Sequence, residues 1–183
     1  PTINVDNFLG GEYVVNADLL FSKAQDTAIV LRGDLEQVGT TAEGYPIFSS
    51  DREASFVLTN STEGNESTTA SISIAKDYGN GFDWAFGYAW NDAKDVSPMT
   101  SSVAFSNYNN RAFFDPQEQV LSTSDYNIEH RFTVLANYEK EFFGDYTSTI
   151  SAFGTERSGQ PYSLVDETAG SSFFSFTPFI SGG

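Results

Sequence analysis

Phe82-Asp83-Trp84-Ala85-Phe86-Gly87-Tyr88-Ala89-Trp90-Asn91 carries an aromatic ring at every even position and a small or polar side chain at every odd one. Alternate side chains of a strand point to opposite faces, so a strand gathers the five rings on one surface and leaves Asp83, Ala85, Gly87, Ala89 and Asn91 on the other. A helix would scatter the rings around its axis. The ring-bearing surface suits either a sandwich core or lipid, and the opposite surface discriminates between them. A sandwich turns that side to bulk water, where Gly and Ala hold no advantage, whereas a crowded, wet barrel interior favours small and polar residues.

Four stretches on either side repeat the alternation less cleanly. Along 15–22, Val15, Ala17, Leu19 and Phe21 oppose Asn16, Asp18 and Ser22, and along 69–75 Ser or Thr alternates with Ala or Ile. Along 131–139, Phe132, Val134, Ala136 and Tyr138 form the apolar face, with Leu135 an exception on the polar side. The stretch 146–155 is weaker, because Ile150 and Ala152 fall on one face and Phe153 on the other. The pattern predicts an all-β chain, an antiparallel up-and-down meander of about five long strands. They are placed near 12–32, 55–76, 82–93, 128–142 and 146–157, with long loops near 33–54 and 94–127 and a C-terminal loop over 158–183.

The connections fall into two size classes. Lys76-Asp77-Tyr78-Gly79-Asn80-Gly81 and Phe143-Gly144-Asp145 are short turns of hairpin type. The loops near 33–54 and 94–127 are long and rich in Ser, Asn, Asp and Thr, and connections of that length are uncommon inside compact domains. Successive connections of a meander alternate between its two ends, so the short turns share one end and the long loops the other. Outer-membrane barrels have this asymmetry.

Composition narrows the function classes. The 183 residues suit one packed unit, or part of a larger one. Lys plus Arg number 9 against 25 Asp plus Glu, a net charge of −16 that argues against nucleic acid as a partner, since phosphate binding requires clustered bases. No Cys is present, which removes disulfides, thiolate metal sites and cysteine nucleophiles together. A single histidine, His130, makes zinc hydrolysis and Ser-His-Asp chemistry poor candidates. The 17 Phe, 9 Tyr and 2 Trp favour strands. No apolar run approaches the ~18 residues of a membrane helix, but a spanning strand needs only about 9–11. The chain begins at Pro1 without a basic segment followed by an apolar one, and reads as a processed or excised piece.

The run from Gly81 to Val96 resembles a strand and its following loop in TonB-dependent outer-membrane receptors. The stretch Thr100-Ser101-Ser102-Val103-Ala104-Phe105-Ser106-Asn107-Tyr108-Asn109-Asn110-Arg111 is similar to that family too. So are Tyr126-Asn127-Ile128-Glu129-His130-Arg131-Phe132-Thr133, Phe143-Gly144-Asp145-Tyr146 and Arg157-Ser158-Gly159-Gln160-Pro161-Tyr162-Ser163. The likeness covers roughly residues 12–163 and is strongest to the subgroup with a carboxypeptidase-regulatory-like domain ahead of the plug, with Thr59-Asn60 fitting a further family pattern. It implies a large closed barrel, a plug inside it, and uptake of a bulky ligand driven by the TonB system. This sequence contains neither plug nor TonB box, and five strands cannot close a barrel whose smallest natural members use eight. The resemblance therefore implies a late portion of the barrel. Its partners are the remaining strands and plug of the parent chain, the TonB system acting through that parent, and outer-membrane lipid.

On this reading Trp84, Phe86, Tyr88 and Trp90 face lipid or the interfacial girdle, while Asp83, Asn91, Arg131, Asn137 and Glu139 line the lumen. The loop Ser106 to Asp115 mixes aromatic platforms with amide and guanidinium donors, a composition suited to peptides or glycans, and Asn107, Tyr108, Asn110 and Arg111 are its candidate ligand-binding residues. The plainer and preferred reading is a loop packed on neighbouring loops. Glu129-His130 is an acid-imidazole pair, yet no nucleophile accompanies it at a recognisable spacing, and no enzyme is expected. Arg32-Gly33-Asp34 spells an adhesion tripeptide, and Asn60-Ser61-Thr62 and Asn65-Glu66-Ser67 match a glycosylation sequon; words this short recur by chance. No calcium loop motif appears, and neither a metal nor a cofactor is expected. The rival class is a soluble extracellular or self-assembling β-rich structural or binding module, since an isolated wall segment exposes two sheet edges and an aromatic face, and invites edge-to-edge self-association.

Overall fold

A computed structural model describes residues 13–42, 44–109, 115–144, 146–162, 165–166 and 177–178. The chain is nearly all β, as expected. Its strands are β1 (Tyr13–Lys23), β2 (Ala28–Arg32), β3 (Glu36–Thr40), β4 (Pro46–Ser49), β5 (Phe56–Asn60), β6 (Glu66–Asp77) and β7 (Phe82–Asp95). A short helix α1 (Ala104–Asn109) and β8 (Ser122–Thr123) precede the long strands β9 (His130–Phe143) and β10 (Tyr146–Arg157). Two short strands, β11 (Val165–Asp166) and β12 (Thr177–Pro178), pair with each other.

The chain divides into two compact units. The first gathers the described residues of Pro1–Ser22, Glu66–Ala93 and Tyr126–Gln160, and the second those of Lys23–Asn65, Lys94–Asp125 and Pro161–Gly183. Two of the expected five strands are accordingly interrupted. The one placed near 12–32 breaks between β1 and β2, and the one near 55–76 breaks between β5 and β6. The reason is local. Asp26 adopts φ 54°, outside the strand region, and a side chain at Gly64 would meet the carbonyl oxygen of Ala24 at 1.8 Å. The two breaks are tied across by Ala24 N donating to Asn65 O at 2.8 Å and Ser61 N to Thr27 O at 2.7 Å.

The first unit is a sheet in the order β1-β6-β7-β9-β10. In β7 and β9, Phe82 faces Tyr138, Trp84 faces Ala136, Phe86 faces Val134, Tyr88 faces Phe132 and Trp90 faces His130. The β9–β10 pairing carries the same alternation on, with Ile150 opposite Tyr138 and Ala152 opposite Ala136. The two sequence exceptions meet: Phe153 lies opposite Leu135, a cross-strand apolar pair on the face away from the rings.

The turn from β6 to β7 shows why a glycine ends it. Tyr78 N donates to Phe82 O at 3.0 Å, and Asp77 Oδ1 accepts from Gly79 N at 2.8 Å. Gly81 then takes φ 87° and sits so close to β9 that a Cβ there would lie 2.0 Å from Glu139 O. The approach is used: Glu139 N donates to Gly81 O at 2.7 Å.

The second unit is built from the long connections. Within it β2 pairs with β5, β3 with β4, and Lys94 and Asp95 at the end of β7 with Thr123 and Ser122. The regions expected as loops near 33–54 and 94–127 thus hold a hairpin, a helix and a short strand of their own. Among the described residues the buried apolar side chains are Ile29, Val30, Val96 and Tyr108, all in this unit. Among the described residues, the first unit buries no apolar side chain, whereas the second has a core of its own.

Candidate functional site

The ring-bearing face of the sheet draws on all five strands. The Ser73 side chain approaches Gly87 on the small-residue side, so Ile72 and Ile74 fall with the rings. Tyr13 meets Trp84 edge-on at 6.5 Å between ring centres, which places β1's odd residues on the same face. The middle of that face is hydrocarbon and open: Phe86 is 38% exposed, Phe132 42%, Val134 48% and Ile72 49%. At one end the polar tips of aromatic side chains find partners. The Tyr88 hydroxyl lies 2.9 Å from His130 Nδ1, and Trp90 Nε1 donates to Glu129 Oε1 at 3.5 Å. The Glu129-His130 pair, 3.5 Å between Oε1 and Nε2, therefore caps a row of rings.

The opposite face is a polar lattice. Asn137 Nδ2 donates to Asp83 Oδ2 at 2.8 Å, Asn16 Nδ2 to Ser73 Oγ at 3.4 Å, and Thr69 Oγ1 to Asn91 Oδ1 at 2.7 Å. Asn91 Nδ2 donates in turn to Asn127 Oδ1 at 2.7 Å. Arg131 stands opposite Arg157 at the end of this face, and Glu139 opposite Thr149. All five residues assigned to a lumen, Asp83, Asn91, Arg131, Asn137 and Glu139, share it, and all four assigned to lipid share the other.

The candidate ligand loop is different. Tyr108 is 3% exposed and meets the Phe56 ring at 6.0 Å, with Phe105 also 6.0 Å from Phe56. Its hydroxyl donates to Gln117 Oε1 at 3.4 Å. Asn107 closes the start of α1, accepting from Ser101 N at 2.8 Å and donating to Ser101 O at 2.7 Å. Both side chains are engaged inside the loop unit; Asn110 and Arg111 lie outside the described residues.

Two glutamines without any sequence signal hold this unit together. Gln117 accepts from Arg32 N at 3.1 Å and donates its amide to Arg32 O, completing the edge of β2 as another strand would. Gln119 Oε1 accepts from Thr62 N at 2.7 Å. A side-chain amide mimics a peptide group, and neither spacing nor hydropathy reports that use.

The Arg32-Gly33-Asp34 tripeptide is internal. Asp34 is buried, accepts from Arg32 Nε at 2.9 Å, from Ser55 N at 2.8 Å and from Ser50 Oγ at 2.7 Å, and pairs with Arg32 Nη2. The Arg32 guanidinium also lies over the Phe56 ring. The guanidinium hydrogen bond, aided by those donors and opposed by burial, holds the Asp34 carboxyl well below the usual carboxylate range. A depressed folded value means that the stability contributed is complete above the ordinary carboxylate pKa of about 3.9 and is lost as pH falls through the folded value. Acid titration below about pH 4 is therefore expected to loosen the loop unit. Asp34→Asn is expected to lower stability at neutral pH and to flatten that acid slope, read by amide exchange at Ser55; an unchanged slope would remove Asp34 from this role.

Among the described residues no helix is long and apolar enough to cross a membrane, and no three His, Cys, Asp or Glu side chains gather as a metal site. No protein-family model, curated protein or solved structure matches the chain.

Proposed function

We propose that the five-stranded sheet is a wall segment of a transmembrane β-barrel, with its ring-bearing face toward lipid and its polar face toward a water-filled interior. One observation supports this above the rest: an apolar face spread over five strands lies open, while the other face is hydrogen-bonded side chain to side chain. Withdrawing an aromatic or aliphatic side chain from water is worth about 1.5–3 kcal/mol, so a face of this extent is stable only when something apolar covers it. Rings with polar tips at the end of a hydrocarbon band fit the interfacial girdle of such walls.

The likeness of Gly81–Val96 and the return strand to TonB-dependent receptors supports a narrower reading. The segment then belongs to an outer-membrane receptor that takes up a bulky ligand, with the plug, the remaining strands and the coupling to TonB supplied by the parent chain. The rival, a soluble or self-assembling β-rich module, draws on the outer edges of β1 and β10, which pair with no strand among the described residues.

Both tryptophans of the chain, Trp84 and Trp90, lie on the ring-bearing face, which provides the test. Their emission is expected to shift to the blue on addition of phosphatidylcholine vesicles and to be quenched by bromine placed on the acyl chains. A blue shift already complete in buffer, with no bromine quenching, would mean that copies of the chain cover the face themselves, and would overturn the barrel reading.

A further inference from the structure

Charges at the short-turn end of the sheet are sorted by face. Asp83, Glu139 and Glu141 occupy odd positions of β7 and β9, on the polar side. Lys76 and Lys140 occupy even positions of β6 and β9, on the ring-bearing side. In a chain with 25 acidic and 9 basic residues, two of the four lysines therefore stand on the one face that lacks carboxylates at this end.

Both ammonium groups are held against rings. Lys76 Nζ lies 4.0 Å from the centre of the Tyr13 ring and 4.8 Å from that of Tyr78, and Lys140 Nζ lies 5.9 Å from that of Phe142. Tyr78 stacks on Phe82 at 5.6 Å, and Tyr138 meets Phe142 edge-on at 6.2 Å. A ring face attracts a cation but does not neutralise it. Both lysines stand near the ends of their strands, at the margin of the ring-bearing face, where a long stem lets a charge reach from hydrocarbon to a polar boundary.

We propose that this end of the ring-bearing face binds the phosphates of an anionic phospholipid leaflet through Lys76 and Lys140, with Tyr13, Tyr78 and Phe142 positioning them. The inference rests on the barrel-wall reading and deepens it by naming a headgroup class. Charge complementarity carries it: a chain of net charge −16 is repelled as a whole by an anionic surface, so attraction has to come from a local cationic margin set where headgroups begin.

The experiment compares uptake of the full chain by vesicles of phosphatidylcholine alone and of phosphatidylcholine with one part in three phosphatidylglycerol. Wild type is expected to partition more strongly into the anionic vesicles, with the gain lost at high salt. Lys76→Gln and Lys140→Gln are each expected to lower the anionic partition about fivefold, and the double variant about 25-fold. Their uptake by neutral vesicles should be unchanged, and the Lys→Arg variants should bind as wild type. Arg157→Gln, at the other end and on the polar face, is the control and should have no effect.

Equal uptake by both compositions, or variants indistinguishable from wild type, would overturn the lysine assignment while leaving the wall reading intact. Release from anionic vesicles by millimolar inorganic phosphate at constant ionic strength would assign the lysines to a soluble anion and overturn it as well. Failure of neutral vesicles to take up the chain would overturn both readings together.

Discussion

Phe86→Arg is expected to destabilise the bilayer-inserted sheet by about 2–4 kcal/mol, the cost of a cation at mid-depth on a lipid-facing strand. Phe86 is the residue for this test because it lies midway between Phe82 and Trp90 on β7 and is paired with Val134, so hydrocarbon surrounds it on its own face. The same charge placed across the sheet provides the comparison. Thr133 stands opposite Gly87 on the polar face, where β7 offers no side chain to clash with, and Thr133→Arg is expected, if that face meets water as proposed, to fall within about 0.5 kcal/mol of wild type. Urea titration of the vesicle-inserted chain, followed by tryptophan emission, measures both. Equal costs would show that the ring-bearing face does not meet hydrocarbon, since water solvates an arginine equally well on either side.

Tyr108→Ala is expected to cost the loop unit about 3–5 kcal/mol, the range for truncating a large buried aromatic side chain. The ring packs on Phe56, which also meets Phe105, so its removal leaves a void lined by side chains from β5 and α1 that cannot all close in. The expected readout is faster amide exchange at Ile29 and Val30, the most deeply buried residues of β2. Tyr108→Phe should cost no more than about 1 kcal/mol, because the hydroxyl bond to Gln117 is long at 3.4 Å. A Tyr108→Ala variant with unaltered exchange would overturn the packing role given to Tyr108.

The legible part of this protein was the part governed by a period of two. The strict alternation of 82–91 fixes which residues share a face, and the paired strands keep that assignment, because a register slip of one residue would move every ring into the polar lattice. The exceptions noted at Leu135 and Phe153 were also readable, though not their meeting, since pairing across strands depends on turn length and on the irregularity between Tyr146 and Thr147. The interior of the long connections was opaque. Their core uses Ile29, Val30, Val96 and Tyr108, residues far apart in sequence with no common spacing, and their polar joints use Gln117 and Asp34, whose types read equally well as solvated surface. Composition suggested a binding loop at Asn107 and Tyr108; packing engages both side chains from within.

The hydrogen bond from Ala24 N to Asn65 O has a consequence for how such a chain can change over generations. It brings the start and finish of the whole 24–65 excursion side by side, so the neighbouring strands experience a tight bend however much sequence lies between. Closure entropy rises only with the logarithm of loop length, so residues can be added at exposed positions inside that bend, away from Ile29, Val30, Asp34 and the paired strands, at little thermodynamic cost. Gly64 is the position that cannot drift, because any other residue would drive its side chain into the Ala24 carbonyl. Diversification is thereby confined to one side of a fixed staple, where new surfaces can be tried without re-threading the sheet.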